Sequence, residues 1–124
     1  MLQEQSPTTP VVLIVENDVL LRLVTASNLR AAGFEVIEAA NPAEALRILD
    51  RIPVDVLFSD IDMPGNMDGL ALAQRVHRSQ AHTRIILTSG AARTPGDVME
   101  YASFLPKPYA EKDVERLLRS VLSS

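Results

Sequence analysis

Residues 11–18, Val11-Val12-Leu13-Ile14-Val15-Glu16-Asn17-Asp18, pass from five aliphatic side chains straight into three polar ones, two of them acidic. A β-branched run with no polar alternation suits a strand covered on both faces, the environment of a parallel sheet. Residues 54–59 (VDVLFS) and 84–88 (RIILT) repeat the pattern, and 35–38 and 103–105 are shorter versions of it. Helical segments separate these runs. Asn41-Pro42 combines an N-cap residue with a proline at the first helical position, and Ala45, Leu46, Leu49 and Ile52 then share one stripe. Thr94-Pro95 followed by Asp97 offers the same start chemistry, and Val114, Leu117, Leu118, Val121 and Leu122 follow the helical period. Strand followed by helix, five times over, predicts an α/β fold of (βα)5 type, a doubly wound parallel sheet of five strands with helices on both faces.

The rest of the chain is consistent with one such unit. Its 124 residues fit a single domain, and residues 1–10 (MLQEQSPTTP) read as a disordered polar leader ahead of a domain over 11–124. Sixteen acids against twelve bases give a net charge of −4, which argues against a nucleic-acid surface. With no cysteine, disulfide and thiolate-metal chemistry are excluded. Neither a membrane span nor a signal-peptide pattern is present, so the expectation is a cytoplasmic protein.

In open parallel sheets ligands bind beyond the carboxyl ends of the strands. The first strand is followed there by Glu16, Asn17 and Asp18, the third by Asp60, Asp62 and Asp68, the fourth by Thr88-Ser89-Gly90 and the fifth by Pro106-Lys107-Pro108. Clustered carboxylates repel unless a cation neutralises them, and Mg2+ with its preference for hard oxygen ligands suits such a cluster. A lysine and a hydroxyl opposite Asp60 complete the equipment for phosphoryl transfer, with Asp60 as nucleophile. Each residue alone has a plainer explanation, as turn, cap, strand or surface residue. The argument rests on their coincidence at successive strand ends, and Lys107 is one of only two lysines in the chain. His77 and His82 read as solvated residues without a role.

With these residues in place, the sequence resembles the receiver domain of two-component response regulators. The motifs are Val15-Glu16-Asn17-Asp18, the segment 57–65 (LFSDIDMPG), Met67-Asp68-Gly69-Leu70, Leu87-Thr88-Ser89-Gly90 and Phe104-Leu105-Pro106-Lys107-Pro108-Tyr109. The resemblance spans residues 11–122 and implies a flavodoxin-like sheet of strand order 2-1-3-4-5. It also implies that Asp60 is the phosphoacceptor, that Thr88 and Lys107 contact the phosphoryl oxygens, and that Thr88 and Phe104 act as switch residues. Glu16, Asn17, Asp60 and the backbone carbonyl of Asp62 would hold Mg2+. Implied partners are a sensor histidine kinase or histidine phosphotransfer protein, and a downstream protein target. The target would meet a face formed by the fourth helix, fifth strand and fifth helix, including Met99, Tyr101, Phe104 and Tyr109. No nucleic acid or membrane is implied, and the protein would be a monomer or weak dimer.

Two departures from the family pattern stand out. Asn17 occupies a position normally held by a metal-ligating aspartate, so Mg2+ binding should be weaker, with Asp18 as a compensating acid. Asn66 lengthens the loop after Pro64-Gly65 by one residue. The reading that follows is a stand-alone phosphoacceptor switch. The alternatives are a degenerate receiver that binds partners without phosphorylation, and a phosphatase of the haloacid-dehalogenase type, suggested by the DxD form of Asp60-Ile61-Asp62.

Overall fold

The computed structural model describes residues 9–91 and 96–124. Its elements are β1 (Val11–Val15), α1 (Val19–Ala31), β2 (Glu35–Ala39), α2 (Pro42–Leu49), β3 (Val56–Asp60), α3 (Gly69–Ser79) and β4 (Arg84–Ser89). A 3-10 turn (Gly96–Glu100), β5 (Ala102–Pro106) and α4 (Glu111–Leu122) complete the order. All five strands run parallel in the order β2-β1-β3-β4-β5. The leader expected over residues 1–10 lies outside the described residues up to position 8, as does the Thr94-Pro95 start signal.

Local chemistry accounts for most boundaries. Asp18 caps α1 by accepting the Leu21 N–H at 3.0 Å, Asn41 caps α2 through the Glu44 N–H at 2.9 Å, and Asp68 caps α3 through the Ala71 N–H at 2.9 Å. At its far end α1 closes in a Schellman motif: Gly33, at φ +101°, donates to the Arg30 carbonyl while the Phe34 N–H reaches the Leu29 carbonyl. Helix α2 stops at Leu49, short of Ile52, which is consequently exposed; Pro53 lies just beyond.

One expectation is corrected. Among the described residues there are four α-helices where (βα)5 calls for five, and the described part of the β4–β5 crossover carries a single 3-10 turn. Gly96 at φ +74° cannot belong to an α-helix, and only five residues separate it from β5, room for one tight turn but not for a stable helix.

The central strands are buried on both faces, and the two-residue pleat sorts their side chains into two cores. Leu13, Val15, Leu57, Ile85 and Leu87 pack with residues of α2 and α3. Val12, Ile14, Val56, Phe58 and Ile86 pack with Ala26 and Leu29 of α1 and Val114 and Leu118 of α4. This second face carries the chemistry, because following its phase to the carboxyl ends of the strands leads to Asp60 and Thr88, and one step beyond β1 to Glu16.

Candidate functional site

Register explains how residues far apart in sequence converge. Ile14 is opposite Phe58, Phe58 is opposite Ile86, and Asp60 is opposite Thr88. Glu16 follows Ile14 in phase, and Lys107 follows Leu105, the partner of Thr88. Four chemically active side chains thus emerge on one face at the carboxyl edge of the sheet. Glu16 is 4% exposed, Asp60 5% and Thr88 2%.

Lys107 is the centre of the arrangement. Its Nζ donates to Glu16 Oε1 at 2.8 Å and lies 3.3 Å from Asp60 Oδ2. The main chain ties it to β4, the Lys107 N–H donating to the Ser89 carbonyl at 2.9 Å; the peptide bond to Pro108 is cis. Glu16 Oε2 accepts the Asp18 N–H at 3.0 Å, so both carboxylate oxygens are engaged. The other oxygen of Asp60, Oδ1, accepts the Asp62 N–H at 3.3 Å. Burial, and then the charge of Glu16, push the Asp60 pKa above its ordinary value against the opposing pull of Lys107 and the Asp62 N–H. For Lys107, burial favours the neutral form. The hydrogen bond and charge of Glu16, reinforced by Asp60, overcome it and raise the pKa, so the side chain is an ammonium.

Thr88 differs from its neighbours. Its Oγ1 is buried and has no hydrogen-bond partner, in a protein interior where nearly every such group finds one. The adjacent Ser89 is engaged: its hydroxyl donates to the Asp62 carboxylate and accepts the Ala91 N–H at 3.1 Å. Gly69 belongs to the site through the backbone. It donates to the Ile61 carbonyl at 2.9 Å, and a Cβ at this position would stand 2.0 Å from the Asp60 carbonyl oxygen.

The structure therefore brings Glu16, Asp60 and Lys107 into direct contact with Thr88 alongside. Asn17 is exposed at the rim, lining a groove with Asn41, Pro64 and Asn66. Asp18 commits a carboxylate oxygen to the α1 cap, which accounts for its presence without a metal. Among the described residues no three His, Asp or Glu side chains converge as a cage for a cation. Glu16, Asp60, the Asn17 amide and the Asp62 carbonyl nevertheless present hard oxygen donors of the kind Mg2+ takes.

Away from this cluster, the residues of the expected partner face lie on both sides of the edge strand β5. Phe104 and Tyr101 pack against the core on the α2–α3 side, and Met99 is exposed in the 3-10 turn. Tyr109 turns to the other face, meeting Phe58 edge-on at 5.7 Å and sharing a 3.2 Å hydrogen bond with Thr25 of α1; burial raises its pKa. His77, read as solvated, stacks on Tyr101 with ring centroids 3.8 Å apart. No periodic signal reports such a pair, since its members lie on different elements.

The family model described as response regulator receiver domain matches residues 12–119. The chain is similar to sensor kinase CckA of Brucella abortus, 32% identical over 119 residues that cover 90% of this chain and 12% of that protein. It spans less than half the length of the curated relatives it matches. Among solved structures, the receiver domain of hybrid histidine kinase CckA is 34% identical, covering 90% of this chain and 98% of that one, with a TM-score of 0.76. A CheY-like receiver domain protein of Methanospirillum hungatei JF-1 reaches a TM-score of 0.86 at 24% identity, covering 94% and 95% of the two chains.

Proposed function

The chain belongs to the response regulator receiver domain family, and from that premise we propose that it is a phosphoacceptor switch whose acceptor is Asp60. Members of this family are signalling switches, not classical enzymes, and they interact with histidine kinases or phosphotransfer proteins. In the proposed step an Asp60 carboxylate oxygen attacks the phosphorus of a phosphohistidine on the donor. The P–N bond breaks, histidine leaves, and an acyl phosphate forms. The single observation that carries this reading is the Thr88 hydroxyl, buried and unpartnered at the strand position next to Asp60. A phosphoryl oxygen on Asp60 supplies the acceptor that the hydroxyl lacks.

Lys107 remains ammonium and stabilises the charge that develops on the transferred group, a preorganised electrostatic role. Mg2+, held by Asp60, Glu16, Asn17 and the Asp62 carbonyl, would neutralise phosphoryl charge when bound. The phosphoryl group adds nearly two negative charges at neutral pH. Drawing Thr88 and Lys107 towards it disturbs β4 and β5, where Phe104 is the partner of Leu87. The downstream target would then read the surface around Met99, Tyr101 and Phe104. On the input side, Val19, Leu20, Leu23 and Val24 of α1 are large apolar residues left exposed beside the acidic turn, a surface suited to the donor's helices.

The dehalogenase-type alternative falls, because its DxD would lie on a first strand whereas Asp60 ends β3. The degenerate-module reading draws support from Asn17 and from the missing three-acid cage among the described residues; partner affinity indifferent to Asp60→Ala and to phosphodonor would establish it. The test of the main reading is incubation with acetyl phosphate and Mg2+, followed by intact-mass analysis. One added phosphoryl group is expected on the wild type and none on Asp60→Asn. Absence of modification on the wild type, or its persistence in the variant, refutes the proposal.

A further inference from the structure

The acidic turn is held by a residue that takes no direct part in the site. The carbonyl of Glu16 lies beyond the end of β1 and has no partner in the sheet; Arg22, a turn and a half along in sequence, donates to it from Nη1 at 2.9 Å. The same guanidinium pairs through Nε with Glu38 Oε1 at 3.3 Å, and only 15% of the Arg22 side chain is exposed. Glu38 is held in turn by Arg30, whose Nη1 lies 3.3 Å from Glu38 Oε2 and whose Nη2 reaches the Val36 carbonyl at 2.9 Å. On its other side Glu16 is fastened by its own N–H, which donates to the Ala39 carbonyl at 3.1 Å.

The carbonyl that Arg22 grips belongs to the peptide joining Glu16 to Asn17. The orientation of that plane sets the directions of both side chains, one on Lys107 and one at the rim. Arginine suits the task because its rigid fork of donors serves a carbonyl and a carboxylate together, which a lysine ammonium on a flexible stem does less well. We propose that Arg22 is a positioning residue that fixes the Glu16–Asn17 peptide for cation binding and phosphoryl acceptance at Asp60, and that Glu38 holds Arg22 in place. This rests on the proposed function for its chemistry. With Asn17 supplying an amide where an acid would bring charge, fixed geometry carries a larger share of the site's affinity beside the Glu16 and Asp60 carboxylates.

Arg30 is an internal control, since it binds the same Glu38 but contacts Val36 in place of the acidic turn. Mg2+ titration of the unphosphorylated protein, followed by NMR, is compared for the wild type, Arg22→Gln, Arg30→Gln, Glu38→Gln and the Arg22→Gln/Glu38→Gln pair, with urea melts alongside. Arg22→Gln should weaken Mg2+ binding about tenfold and slow acetyl phosphate labelling of Asp60 in parallel. Arg30→Gln should stay within about twofold of wild type even where the two variants lose similar stability. Glu38→Gln should fall between them and add nothing in the Arg22→Gln background, as a residue acting through another must. Equal losses of Mg2+ affinity for the two arginine variants, or an Arg22→Gln affinity within about twofold of wild type, overturns the proposal. Failure of Asp60 labelling in the wild type would refute the proposed function instead, while the Mg2+ titration still decides the role of Arg22.

Discussion

Replacing Asp60 with Asn, with divalent cations chelated, should make the fold more stable at neutral pH. The carboxylate is 5% exposed and shares one ammonium with Glu16, at 3.3 Å and 2.8 Å respectively. The two carboxylate oxygens are therefore no more than ~6 Å apart, and at an effective dielectric of about 20 they repel by about 3 kcal/mol. On the same scale the attraction to Lys107 is about 5 kcal/mol. Removing the carboxylate from water costs several kcal/mol more. The raised Asp60 pKa shows which side wins: burial and Glu16 outweigh Lys107 and the Asp62 N–H. An amide retains an oxygen for the Asp62 N–H while losing the charge. The expected gain is about 1–2 kcal/mol, a rise in urea midpoint of roughly 0.5–1 M. The folded protein holds the Asp60 proton more tightly than the unfolded chain, where the group titrates near 3.8. The penalty is therefore absent below that pH and grows as pH rises through the higher folded value. Urea melts of both proteins at neutral pH and at about pH 3 should show the gain only at the higher pH. Added Mg2+ should shrink it by stabilising the wild type. A variant midpoint at or below wild type at neutral pH, or an equal gain at both pH values, would refute the reasoning.

Four further outcomes are expected. Thr88→Val removes a buried hydroxyl that has no partner, so urea melts should show unchanged stability or a gain of about 1 kcal/mol while acetyl phosphate labelling slows. Lys107→Met leaves Glu16 and Asp60 buried without their shared cation and should cost about 2–3 kcal/mol, allowing for the partial exposure of the lysine; an NMR titration should find the Asp60 pKa displaced further upward. Gly69→Ala forces a methyl to 2.0 Å from the Asp60 carbonyl and 2.7 Å from Ile61 Cα, and its melt should show a loss of about 3 kcal/mol or more. Asn17→Asp should tighten Mg2+ binding by about tenfold, and unchanged affinity in the same NMR titration would count against Asn17 as a ligand.

Much of the architecture is legible along the chain. The β-branched runs at residues 11–15 and 84–88 have no polar alternation because both their faces are covered, and the Asn41-Pro42 pair starts α2 where its chemistry requires. The motif residues around Asp60 also point to the site in advance. Less was visible in the β4–β5 crossover, where start chemistry suggested a helix and the left-handed Gly96 leaves a 3-10 turn. That Tyr109 and Phe104 stand on opposite sides of the edge strand β5 is likewise decided by the sheet and not by the motif. His77 reads as a lone solvated residue and is exposed; its stacking on Tyr101 has no sequence signal because the partner lies on another element.

The division has a physical basis. Strands, caps and helix stops arise from hydrogen bonds and hydrophobic periods among residues a few positions apart, so composition and spacing carry them. The bridge from Lys107 to Glu16 spans 91 residues and exists because strand order and pleat phase deliver both side chains to one edge. Neither the sharing of one ammonium by two buried carboxylates, nor the pairing of Arg22 with Glu38 of β2, nor the stranded Thr88 hydroxyl has a local signature. They come into being when the sheet closes, and they turn a string of motif residues into a charged, preorganised acceptor site.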